Sequence, residues 1–158
     1  MSRALLIGYS QSGQVTKVIS EIEKVLSARG VTTHVEMIRS KPPLPEKLGF
    51  RGFFNLMCDA YDPSGFAIAR LSASCVGEFD LVVLGWQVWF LRPSVPIQLL
   101  LRSRADVFKG RSVITVCTCR KMFSAAQGVL HRGLIDGGAT IVGGVALTHS
   151  GNQWKTLL

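Results

Sequence analysis

Residues 4–16 read Ala4-Leu5-Leu6-Ile7-Gly8-Tyr9-Ser10-Gln11-Ser12-Gly13-Gln14-Val15-Thr16. A short apolar run gives way to hydroxyl and amide side chains around a glycine, and a helical pattern follows at once. Apolar residues recur at Val15, Val18, Ile19, Ile22, Val25 and Leu26, which keeps them on one stripe of a helix. Gly30 then stands where such a helix stops. A strand apolar on both sides that feeds an amphipathic helix opens an α/β unit, because parallel sheets are covered on both faces.

The same kind of run recurs at Leu81–Gly85, Val113–Cys117 and Thr140–Leu147. Thr32–Ile38 is rich in β-formers but alternates, as a thinly covered edge strand does. A second helix follows Pro93-Ser94 and carries Val95, Leu99 and Leu100; a third is predicted from Phe123 to Ile135, stopping at Gly137-Gly138. The order is strand, helix, strand, long insert, strand, helix, strand, helix, strand. It predicts an α/β fold with right-handed crossovers. The insert, residues 40–78 between the second and third strands, begins Lys41-Pro42-Pro43-Leu44-Pro45 and continues Phe50-Arg51-Gly52-Phe53-Phe54-Asn55-Leu56-Met57. It reads either as an irregular helix covering the sheet or as an aromatic, basic flap over a ligand site.

Composition narrows the classes. The 158 residues suit one domain spanning 1–158, long enough to remove about two thirds of its unfolded surface from water. Hydrophobic residues at 47% against 18% charged exclude intrinsic disorder. The run at Ala4–Tyr9 is too short for a secretory core, and no stretch approaches the roughly 20 apolar residues of a membrane span. Four cysteines (Cys58, Cys75, Cys117, Cys119) without an export signal read as reduced thiols in a cytoplasmic protein. The net charge of +8 comes without a recognised nucleic-acid module, so it reads as solvated basic faces and nucleic acid is not an expected partner.

Ser10 to Thr16 contains no acidic residue and leads into a helix N-terminus, where free N–H groups and the dipole favour an anion. Ser10 and Ser12 can donate to phosphate oxygens, and Gly13 lets the backbone curl around the group. Plain capping of the helix by Ser12 is the simpler alternative. Gly8 to Gly13 has the glycine spacing of a nucleotide-triphosphate loop, but Gln14-Val15 stands where Lys and Ser/Thr belong, and G-x-G-x-x-G is missing. Hydroxyls in place of glycines suit a terminal monoester phosphate such as that of FMN. Trp86, Trp89 and Phe90 cluster at the carboxyl end of a central strand, where open α/β sheets bind ligands. Cys117 and Cys119 form a lone C-x-C, and His34, His131 and His149 lack ligand spacing, so no metal site is expected. No residue is assigned a catalytic role.

The Ser-x-Ser-Gly-x-x-Thr pattern at 10–16 resembles the phosphate loop of flavodoxin-like proteins. Phe79–Gly85, followed by Gln87-Val88-Trp89-Phe90 and Pro93, is similar to the third strand and flavin loop of flavodoxins and FMN quinone reductases. Cys117-Thr118-Cys119-Arg120-Lys121-Met122-Phe123 falls where the family's second flavin loop follows its fourth strand. The stretch from Ala126-Gln127 to Val145-Ala146-Leu147-Thr148 is similar to a subgroup linked with dialkylresorcinol biosynthesis.

This resemblance implies a doubly wound, five-stranded parallel sheet of order 2-1-3-4-5. It also implies an FMN-dependent oxidoreductase that uses NAD(P)H to reduce a quinone or similar acceptor. Its partner would be that small-molecule acceptor or a redox partner protein. A one-electron carrier and a cofactor-free interaction module are the alternatives. Ser10, Ser12, Gly13 and Gln14 would bind the FMN phosphate, with backbone N–H groups from Gln11 to Val15. Trp89 or Phe90 would lie against the ring, Gln87 and Val88 would meet its polar edge, and Thr118, Cys119 and Arg120 would close the other side. Arg92 and Arg120 would favour the negative charge of a reduced ring. Val15 departs from the family loop, which ends in threonine. The family's last helix is also missing before Leu158, which leaves residues 140–147 short of cover. A homodimer with Trp154, Leu157 and Leu158 near the contact is therefore expected.

Overall fold

The computed structural model describes residues 2–44 and 49–148. Strand β1 (Arg3–Gly8) leads into α1 (Gln14–Ala28) and β2 (Thr32–Met37). In the insert, the two-residue strands β3 (Ser40–Lys41) and β4 (Ala67–Ile68) pair antiparallel and bracket α2 (Phe50–Tyr61). The alternation resumes with β5 (Leu81–Trp89), the short β6 (Arg92–Pro93), α3 (Val95–Ser103), β7 (Ser112–Cys119), α4 (Ser124–Asp136) and β8 (Thr140–Thr148). The five long strands run parallel in the order β2-β1-β5-β7-β8, the expected 2-1-3-4-5 arrangement.

Each face of the sheet has its own core. On one face Leu5, Ile7, Val82, Leu84, Trp86, Val113 and Cys117 pack with Ile97 and Leu100 of α3 and Leu130 and Leu134 of α4. On the other, Ala4, Leu6, Val83 and Val116 pack under Val15 and Ile19 of α1. Alternate residues of one apolar strand therefore enter different cores, which explains runs that are apolar at every position.

Two departures from the sequence reading have local causes. Strand β5 continues past Gly85 to Trp89 because β6 folds back on it, pairing Val88 with Pro93 and Trp89 with Arg92. Strand β7 likewise includes Thr118 and Cys119, which pair with Leu147 and Thr148 of β8. On β8, the strand expected to be short of cover, Val142, Val145 and Leu147 are 55%, 52% and 42% exposed. An apolar trough of about 480 Å³, lined by Val18, Ile22, Val25, Leu26 and Leu147, runs between that strand and α1. Residues 149–158 lie outside the described residues, and with them the expectations placed on a last helix and on Trp154, Leu157 and Leu158 at a dimer contact.

One irregularity interrupts β8. Val113 pairs with Ile141 but Ile114 pairs with Gly143, so Val142 is an extra residue, a β-bulge.

The insert contains a helix that packs on the domain and carries aromatic side chains. Helix α2 buries Leu56 and Ala60, and the buried Gln98 amide donates to the Ala60 carbonyl at 2.8 Å and the Pro93 carbonyl at 2.9 Å. Its aromatic side faces the end of β5, where Phe53 meets Phe90 at 4.9 Å between ring centroids.

Candidate functional site

At the carboxyl ends of β1, β5 and β7, three chain segments converge. The first is the turn from β1 into α1. Gly13 is its N-cap residue, with φ 78° and ψ −3°, and no side chain caps the helix. The capping role considered for Ser12 is therefore not used. Within 4 Å of a Cβ built on Gly13 there is nothing, so this left-handed residue faces open space. The first intrahelical bond runs from the Lys17 N–H to the Gly13 carbonyl at 3.1 Å, and helix geometry leaves the earlier N–H groups, Gln14 to Thr16, as outward donors. Beside them the Ser10 hydroxyl is buried without a hydrogen-bond partner among the described residues. A buried orphan donor beside the uncapped first turn of a helix is an arrangement that an anion can satisfy.

The second segment is the end of β5. The Gln11 N–H donates to Gln87 Oε1 at 3.1 Å, and the Tyr9 hydroxyl donates to Gln11 Oε1, so the first loop is tied to β5. Tyr9 is nearly enclosed, and burial pushes its phenol pKa up to about 12, which keeps this donor protonated. Its ring meets Trp89 edge-on at 5.8 Å. Trp89 is half-buried, whereas Trp86 is 1% exposed and belongs to the core. Past Trp89 the two-residue turn holds Phe90 at φ 50° and Leu91 at φ 64°. Two left-handed residues make the hairpin turn that normally takes Asn-Gly; here a phenylalanine and a leucine are held in it. The Tyr61 hydroxyl donates to the Phe90 carbonyl at 3.0 Å, which helps to pin the strained turn.

The third segment is the end of β7. Thr118 pairs in register with Gln87, and its hydroxyl is a second buried donor without a partner among the described residues. Cys119 is half-buried and Arg120 exposed at the strand's exit. Cys117 is fully inside, and burial raises its thiol pKa strongly, with Cys119 adding to the effect.

The structure thus brings together Ser10, Gln11, Ser12, Gly13 and Gln14 with Gln87, Trp89 and Thr118. Val15 contributes only backbone, since its side chain is 1% exposed between α1 and the sheet. Val88 is half-buried in the β5–β6 hairpin, and Phe90 is turned towards α2. Arg92 sits with its guanidinium over the Tyr61 ring at 5.0 Å. Sequence reasoning passed over Tyr9, whose place directly after the apolar run was the available signal. It also passed over Tyr61, which no spacing rule connects to β5, and it quoted Phe53 in the aromatic insert without joining it to Phe90.

A separate cluster forms at β2. His34, Glu36 and Cys75 bring one ligand-type atom each within 4.8 Å of one another. The Ser72 hydroxyl sits among them, donating to Glu36 at 2.8 Å and lying 3.0 Å from His34 Nε2 and 3.4 Å from Cys75 Sγ. These bonds dock the end of the insert on the edge strand.

No family model matches the chain, and no curated protein matches it. Solved structures do. A flavoprotein of Lactobacillus acidophilus NCFM, determined in complex with FMN, is 17% identical at a TM-score of 0.65, covering 92% of this chain and 93% of its own. A protein of Bacteroides eggerthii DSM 20697 assigned as a flavoprotein is 19% identical at a TM-score of 0.72, covering 95% and 91%. Oxidised flavodoxin 1 of Bacillus cereus is 18% identical at a TM-score of 0.58, covering 94% and 87%. At these identities the likeness establishes the flavodoxin-like fold.

Proposed function

We propose that this flavodoxin-like chain binds FMN across the three converging segments and acts as an oxidoreductase, passing electrons from NAD(P)H to a quinone or similar acceptor. One observation carries the cofactor reading above the others: the buried Ser10 hydroxyl without a partner, next to the open N-terminus of α1 and the left-handed Gly13. In this reading Ser10, Ser12 and the backbone N–H groups from Ser12 to Val15 hold the phosphate, whereas the Gln11 N–H, expected among them, is taken by Gln87 Oε1. Gln87 and Thr118, neighbours across β5 and β7, offer polar groups to the ring's edge, and Trp89 supplies an aromatic wall. Bound there, FMN supplies the redox chemistry, and the protein supplies position and electrostatics. Arg92 and Arg120 lie on the segments that flank the ring and favour its negatively charged form.

Recording the visible spectrum of the purified protein and titrating it with FMN tests the cofactor. Ser12→Asp places a carboxylate where the phosphate would sit and is expected to weaken FMN binding by about tenfold or more while the fold survives. Unchanged flavin binding sinks the assignment. For the reaction, NAD(P)H oxidation that depends on added quinone supports the reading; a chain that only exchanges single electrons with a protein donor is a carrier instead.

Two further parts of the reading concern context. The open apolar face between α1 and β8 supports a two-fold dimer, and a monomer at micromolar concentration in light scattering refutes it. The four cysteines are unpaired, which supports a reducing, cytoplasmic setting. Among the described residues no helix is long and apolar enough to cross a membrane.

A further inference from the structure

Helix α2 has two apolar sides. One buries Leu56 and Ala60. The other carries Phe50, Phe54, Met57 and Tyr61 in a single stripe at helical spacing, and these side chains are 78%, 46%, 36% and 54% exposed. Their rings form a row: Phe50 meets Phe54 at 4.9 Å, Phe54 meets Phe53 at 5.8 Å, and Phe53 meets Phe90 at 4.9 Å. Leu91, 41% exposed at the tip of the hairpin turn, extends the row. A ridge of exposed apolar side chains this long is uncommon on a water-facing helix.

Its surroundings say what it faces. These side chains stand out from the helix and do not line the trough between α1 and β8. Arg51 is exposed in the first turn of α2, and the Arg92 guanidinium lies on the Tyr61 ring at 5.0 Å near the last. Asp59 and Asp62 are the acidic groups at that end. The chain as a whole carries +8. Phenylalanine, methionine and tyrosine above a basic protein body suit the boundary between headgroups and acyl chains, where a fluid partner moulds itself to a ridge and anionic lipid answers the charge.

We propose that α2 docks this protein on the surface of an anionic lipid bilayer, laying Phe50, Phe54, Met57 and Tyr61 into the headgroup region. The docking stands on the helix alone and does not depend on a bound flavin. If the flavin reading holds as well, the Phe90-Leu91 turn at the edge of that site faces the membrane, and a lipid-dissolved acceptor reaches it directly.

Co-sedimentation of the full chain with vesicles tests this, using phosphatidylcholine alone and phosphatidylcholine containing phosphatidylglycerol. Binding is expected to the anionic vesicles, to fall as salt is raised, and to weaken by about tenfold or more in the double variant Phe50→Gln, Phe54→Gln. Circular dichroism of the variant verifies its fold, and a separate FMN titration leaves the flavin reading to succeed or fail by itself. Equal binding to neutral vesicles overturns the proposal, as does binding that survives the double substitution. Absence of vesicle binding overturns it too, and assigns the ridge to a protein partner.

Discussion

Gly85 and Val15 occupy one space between them: a Cβ on Gly85 would stand 2.6 Å from Val15 Cγ1, and 2.9 Å from Ile19 Cδ1. Across the β1–β5 register Gly85 faces Gly8, where a Cβ would meet the Gly85 carbonyl oxygen at 2.6 Å. The two glycines form a notch that lets the first turn of α1 settle on the sheet. That seating aims the helix N-terminus at the ends of β1 and β5.

Gly85→Ala is therefore expected to cost about 1–3 kcal/mol, as overpacking in a filled core does. Because α1 must rise off the sheet, FMN affinity should drop alongside stability. Urea unfolding and flavin titration of the same sample check both; a variant as stable as the parent refutes the notch.

Leu91→Gly should act in the opposite direction. Leu91 holds φ 64° and is 41% exposed, so glycine relieves backbone strain and removes little packing. A gain of about 1 kcal/mol is expected, or about 2–4 °C in thermal midpoint for a chain of this size. Calorimetry checks it, and a lower midpoint would mean that the turn is not strained.

Trp89→Ala removes the half-buried ring that meets Tyr9 edge-on. Beyond lost area an aromatic face contributes about 0.5–1.5 kcal/mol, so flavin should bind several-fold more weakly and its bound spectrum should shift. Lowered stability with flavin binding intact would place the ring in the core and give the stacking role to another residue.

Tyr9 gives a pH dependence. Its pKa rises from 10.0 to about 12 through burial, so the folded state holds this proton more tightly than the unfolded chain does. The associated stability is complete below pH 10 and is lost as pH climbs from there towards 12. Tyr9→Phe should flatten that alkaline decline and remove a late-titrating phenolate from the ultraviolet absorbance. A phenol that ionises at its ordinary pH in the folded protein contradicts the enclosure.

Much of the fold was legible because its signals are local. The apolar runs at Leu5, Val82 and Ile114 and the stripe from Val15 to Leu26 report strand and helix through periodicity alone, and the polar loop at Ser10–Gly13 stands between them. The β5–β6 hairpin was not legible, since Phe90-Leu91 carries none of the turn chemistry its conformation prefers and is held instead by Tyr61 and Phe53 from the insert. The Ser72 cluster was hidden for the same reason, as it joins β2 to residues far along the chain. Ser12 was the alternative candidate for a cap, as small hydroxyl residues commonly are, but the backbone places Gly13 in that position.

The extra residue at Val142 gives β8 two reading frames. Ile141 and Ala146 are an odd number of positions apart, yet both pack into the core beneath α4. A regular strand would send them to opposite sides. The bulge switches parity once, so that one nine-residue strand presents Ile141 inward before it and Ala146 inward after it. Between Gly143 and Ala146 a change of chain length consequently reverses the facing of every later residue of the strand. One residue lost there would bring Leu147 into the space sized for Ala146 and carry Thr148 to the opposite face beside the end of β7.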